Sequence, residues 1–130
     1  MSALAVRVVS DWHEALNGGD ADRLVELSHP DVEVGGPRGN GQSARLLREW
    51  VDRANVRLEP GRFFHRADTV VVEERAQWRS PETGVLVGSG TVGSVFVVRG
   101  GRVARVTRHD DFSGALEAAC LDGSHETGTI

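Results

Sequence analysis

The chain has 130 residues and a formal net charge of −4, with 19 acidic side chains against 15 basic ones, all of them arginine. That length fits one domain with its own core; with 39% apolar residues and no run near the ~18 needed to span a bilayer, a membrane protein is excluded. The arginines form no basic patch, which argues against a nucleic-acid partner, and a single cysteine, Cys120, rules out an intrachain disulfide and a cysteine-based zinc site.

Residues 3–16 carry Leu4, Val8, Trp12, Ala15 and Leu16 at helical spacing. No basic region followed by a long apolar core opens the chain, so it reads as cytoplasmic. Asn17-Gly18-Gly19 ends this first helix, and Asp20 caps a second over residues 21–27. His29-Pro30-Asp31 breaks that helix before a short strand at residues 32–34, because the residue before proline avoids the α region. The glycine-rich stretch 35–41 lacks the Gly-Lys-Ser/Thr ending of a phosphate loop and reads as a turn into a third helix over residues 42–54. Ala44, Leu47, Trp50, Val51 and Ala54 share one stripe of that helix.

From residue 56 the pattern becomes β. Strands are predicted over residues 56–65, 69–79 and 85–98, with Pro60-Gly61 and the glycines 88, 90 and 93 marking bends or bulges. Gly100-Gly101 supplies a hairpin turn into a strand that begins Val103-Ala104-Arg105-Val106 and ends in Arg108, His109, Asp110 and Asp111. A helix over residues 112–120, capped by Ser113, closes a single domain of residues 1–120, and residues 121–130 read as a flexible tail. Helices followed by antiparallel strands give an α+β class: a cone-shaped, curved sheet wrapped around three N-terminal helices, with a short C-terminal helix. The five histidines show no metal-ligand spacing. His13, next to Trp12, is expected at the surface, as is His65.

The motifs WHEALNGGDADRLVEL, HPDVEV, GPRGNGQSARLLREW and GGRVARVTRHDD together resemble the nuclear transport factor 2-like fold. Within it the chain is similar to the SnoaL-like polyketide cyclases, ketosteroid isomerases and limonene-epoxide hydrolases. The resemblance implies an apolar pocket between sheet and helices, no cofactor, and a homodimer formed through the outer sheet face. Matched to the hydrolases, Arg75 keeps the motif arginine, while Gln77 and Arg108 stand where the acids should be. Matched to the isomerases, Trp12, Gly36 before Pro37, and Gly93 or Ser94 replace the catalytic tyrosine and two acids. The cyclases use an Asp and a His near the last strands, where this chain has His109, Asp110 and Asp111.

Alternation puts Val106, Arg108 and Asp110 on the inward face of the last strand, with His109 and Asp111 at the rim. On strand 69–79 the hydropathy pattern points Val70, Val72, Glu74, Ala76 and Trp78 inward. The hydrolase resemblance points Arg75 and Gln77 inward instead, and that is the assignment adopted. Trp12, Trp50, Gln77, Phe96 and Val106 are then pocket-lining. The catalytic candidates are Asp110 or Glu33 as base and Arg75 or Arg108 as oxyanion stabiliser. Two functions stay open: a small-molecule enzyme of cyclase, isomerase or hydrolase type acting on a mostly apolar ligand, or a non-catalytic dimeric ligand-binding or accessory module.

Overall fold

The computed structural model describes residues 3–36, 39–48, 56–80 and 82–127. Two helices, α1 (Ala3–Asn17) and α2 (Ala21–Glu26), precede strands β1 (Ser28–Gly36) and β2 (Gly39–Gln42). Helix α3 is described over residues 44–48. Strands β3 (Val56–Arg66), β4 (Thr69–Arg79), β5 (Leu86–Arg99) and β6 (Arg102–His109) follow, then α4 (Phe112–Ala119), a 3-10 turn (Gly123–His125) and β7 (Glu126–Thr127). The strands form one curved seven-stranded sheet in the order β2-β1-β6-β5-β4-β3-β7. All its pairs are antiparallel except β1 with β6, which run parallel.

Local chemistry accounts for the boundaries. Asp20 caps α2 by accepting from the Arg23 amide. Gly100 and Gly101, at φ 61° and 78°, make the β5–β6 turn that the Gly-Gly pair predicts. A bulge between Val97 and Val98 shifts the β6 register, so Val103 and Val106 both reach the core. The main core lies between the sheet and the N-terminal helices. It holds Val9, Trp12, Leu24, Val32, Leu47, Leu58, Phe63, Val70, Val72, Phe96 and Val106. α4 covers part of the other face, packing Ala115 against Phe64 and Val71.

Several expectations change. The glycine-rich stretch is partly strand: β1 runs through His29-Pro30 to Gly36, and β2 pairs back on it with Glu33 opposite Gln42. Proline fits at the start of a strand. Asp111, not Ser113, caps α4, through a bond from the Gly114 amide. The expected tail is ordered as far as Thr127. Leu121 is buried, Asp122 caps the 3-10 turn, and Glu126-Thr127 pairs with Phe64-Phe63. The polar composition of residues 122–127 concealed a capping turn that delivers a strand to the β3 edge. No helix among the described residues is long and apolar enough to cross a membrane.

Candidate functional site

Four elements bring polar side chains to the inner face of the sheet. α1 lies against β3, β4, β5 and β6, so that Trp12 and His13 are both buried. On β4 the alternation Val70, Val72, Glu74, Ala76 faces α1, and all four side chains are fully buried. Ser94 on β5 pairs with Val72, which puts it diagonal to Glu74 on the same face. The Ser94 hydroxyl donates to Oε1 of Glu74 at 2.6 Å. Oε2 of Glu74 meets Nε2 of His13. Nδ1 of His13 lies 2.8 Å from the Val9 carbonyl, one helical turn back. Trp12 donates its indole N–H to the Ser28 hydroxyl at 3.2 Å, and that hydroxyl donates to the Leu24 carbonyl at 2.9 Å. Phe96 stands edge-on to Trp12 at 5.1 Å and tilted against His13 at 5.3 Å.

These contacts fix the proton inventory. A carbonyl can only accept, so Nδ1 of His13 carries hydrogen and donates to Val9. Nε2 then shares one proton with Glu74. The pair is either imidazolium with carboxylate or imidazole with carboxylic acid, and it is neutral overall in both forms. That neutrality lets two ionisable groups sit in an apolar core at 1% and 0% exposure.

Arg108 completes the inner face at this level. It pairs with Ser94 across β5–β6, and partners in an antiparallel ladder share a face. Arg108 is half-buried, and among the described residues it forms no ion pair or hydrogen bond.

The other sequence-derived candidates are distributed differently. Trp12, Phe96 and Val106 are core residues of the inner face. Arg75 is exposed on the opposite face, and Gln77 shares that face, half-buried, because Glu74 and Ala76 take the inner positions. Their inward assignment is therefore corrected: on β4 the hydropathy pattern, not the hydrolase alignment, gives the facing. Glu33 is exposed and turned away from the core, since Val32 is the buried neighbour; it pairs with Arg105 at 3.6 Å. With Gln42 and Thr107 these two line a groove of about 310 Å3 away from the inner face. Asp110 lies beyond the end of β6 and is exposed, so the inward alternation stops before it. His109 is half-buried opposite Gly93, on the face that carries α4. Asp111 is spent on the α4 cap. Trp50 lies outside the described residues.

The residues missed were His13 and Glu74. The hydropathy stripe of β4 already singled out Glu74 as an acid among inward valines. His13 carried no comparable mark, because it sits beside the apolar positions of the α1 stripe and becomes buried only when the sheet folds over both flanks of that stripe.

Comparison with known proteins decides the family. The SnoaL-like domain profile matches residues 9–106. The chain belongs to the SnoaL-like family. Among solved structures, a protein assigned as a polyketide cyclase from Sinorhizobium meliloti is 25% identical, with a TM-score of 0.67 over 78% of this chain and 93% of that one. TerC, crystallised with polyporic acid, is 19% identical with a TM-score of 0.72, covering 88% and 99% of the two chains. An LEH-like epoxide hydrolase from M. tuberculosis is 20% identical with a TM-score of 0.69, covering 90% and 92%. The latter two likenesses establish the shared fold. No curated protein matches the chain.

Proposed function

We propose that this SnoaL-like domain binds a small, mostly apolar organic molecule at the inner face of its sheet and transfers a proton on it without a cofactor. The observation that carries this reading is the half-buried Arg108, unpaired among the described residues and directly opposite Ser94 of the hydrogen-bonded chain Ser94–Glu74–His13. A guanidinium that has no carboxylate partner among the described residues, beside apolar side chains such as Phe96 and Val106, suits a ligand oxygen that is anionic or becomes so. The reaction class is cyclisation or isomerisation by proton transfer. Glu74, in its carboxylate form beside the His13 imidazolium, accepts a proton from substrate carbon; the negative charge left on substrate oxygen is met by Arg108. The polyketide cyclase assignment of the Sinorhizobium relative and the polyporic acid of TerC support an organic ligand of this type.

One observation favours a second reading. Both Glu74 oxygens are already engaged, and His13 and Glu74 are both buried. In that case the dyad is a fixed element of the core, Arg108 alone touches the ligand, and the protein binds without turnover.

Calorimetric titration with polyporic acid as probe tests the binding claim. Arg108→Ala is expected to weaken binding by about tenfold or more, matching the ~1.4 kcal/mol or more of a charged hydrogen bond, with the unfolding midpoint unchanged. Equal affinity of both proteins would remove Arg108 from the site. Glu74→Gln then separates the two readings on any substrate that is turned over. Loss of kcat with ligand affinity retained supports proton transfer, and unaltered kcat leaves Glu74 a core residue.

A further inference from the structure

We propose that Ser94 is a positioning residue for Glu74: its hydroxyl holds Glu74 as a carboxylate, keeps the shared proton on His13, and leaves Oε1 as the oxygen that accepts a proton from substrate. The last part rests on the proton-transfer function proposed for the inner face; the first two stand on geometry alone. Ser94 lies inside the sheet, paired with Val72 on β4 and with Arg108 on β6, and it is 1% exposed. Ladders on both sides fix its backbone, so the hydroxyl has little freedom to turn away from Glu74.

The proton between Nε2 of His13 and Oε2 of Glu74 has two resting places, and the contacts on the far side of each partner decide between them. Ser94 donates to Oε1 at 2.6 Å. That falls in the ~2.5–2.7 Å range of a hydroxyl on a charged oxygen, below the ~2.7–2.8 Å usual for neutral partners. On the other side, Nδ1 of His13 donates to the Val9 carbonyl at 2.8 Å. A donor to the carboxylate and an acceptor for the imidazole N–H each favour the charged form of the group they touch. Arg108, opposite Ser94, adds positive charge on the carboxylate side. The pair is thus imidazolium with carboxylate. Among the described residues, Ser94 is the one donor to Glu74 besides His13.

Each carboxylate oxygen has room for two hydrogen bonds. Oε2 is occupied by the His13 proton, whereas Oε1 accepts from Ser94 and keeps a lone pair. In the transfer the substrate C–H bond breaks and its proton goes to that lone pair. The electron pair stays on the substrate, delocalised onto the oxygen that Arg108 meets. Because Ser94 is directly opposite Arg108, the accepting oxygen and the guanidinium serve the same level of the inner face.

The 15N chemical shifts of the His13 ring, in the ligand-free full chain at neutral pH, read the place of the proton directly. The wild-type protein is expected to show both ring nitrogens in the protonated range. Ser94→Ala removes a hydrogen bond to a charged group. The proton's partition should then move toward Glu74 by about tenfold or more, equivalent to ~1.4 kcal/mol or more. The Nε2 shift should move toward the unprotonated position while Nδ1 stays protonated. Ser28→Ala is the control: Ser28 is also buried, at 2% exposure, but bonds to Trp12 and the Leu24 carbonyl. Its loss should cost stability and leave Nε2 in the protonated range. Both exchanges remove only an oxygen from the core, so the variants should fold, and the wild-type spectrum tests the proposal without them. A neutral His13 in the wild type, an Nε2 shift unmoved by Ser94→Ala, or an equal movement in Ser28→Ala would each overturn it. No ligand enters this measurement, so it can fail while Arg108-dependent binding holds, and the reverse.

Discussion

His13 and Glu74 hold each other in place. Either one alone, at 1% and 0% exposure, would leave an uncompensated ionisable group in the core. His13→Leu is therefore expected to destabilise the fold by about 3–5 kcal/mol, the range for breaking a buried pair from one side. The double replacement His13→Leu with Glu74→Leu should cost less than the two single changes added together, because two apolar side chains leave no orphaned charge. Urea unfolding of the four proteins measures this coupling, and additive losses would show that the two side chains act independently. The sequence already contained half of this pair: a glutamate at an inward step of a valine strand is a legible anomaly. The other half depends on how deeply α1 is enclosed, which no single-helix pattern specifies.

Among the elements, α4 is held by shape. A methyl on Gly93 would lie 2.8 Å from the Ala115 Cβ and 3.0 Å from the Phe112 Cα, so β5 must be bare at that point for α4 to dock. Gly93→Ala should cost about 1–3 kcal/mol in urea unfolding through overpacking. Gly90→Ala, where nothing lies within 4 Å, serves as the near-neutral control. From sequence these glycines looked alike, as bend signals; only the packed helix separates them.

The last segment responds to acid. Hydrogen bonds from the Ser124 hydroxyl and amide hold the Asp122 carboxyl below the ordinary aspartate value. A lowered value in the folded state means the capped form gains from the charged carboxylate. That gain is complete above the unfolded value of ~3.9 and disappears as the pH falls through the lowered one. Amide protection at Glu126 and Thr127 should accordingly persist through mildly acid conditions and fall only below the usual aspartate range. Asp122→Asn should abolish that step.

At the scale of the whole molecule, the order of helices and strands was legible because each long element carries its own periodicity and turn residues. The hairpin at Gly100-Gly101 and the full extent of β4 are clear examples. The parallel β1–β6 pair was not legible, because it depends on contacts between segments some seventy residues apart, such as Val34 with Val106. For the same reason Glu33 and Arg75 could not be placed: a side chain's face follows from sheet register, and the hydrolase resemblance gave the wrong one for Arg75. Arg108 is the sequence-derived polar candidate that the register leaves on the inner face.

The central claim, that the ligand sits on that inner face, is tested most directly by amide chemical-shift mapping of the 15N-labelled chain titrated with polyporic acid. The expected result is saturable shifts centred on Ser94, Phe96, Val106 and Arg108. Shifts centred instead on Glu33, Arg105 and Thr107 around the opposite groove, or none at saturating probe, would contradict it.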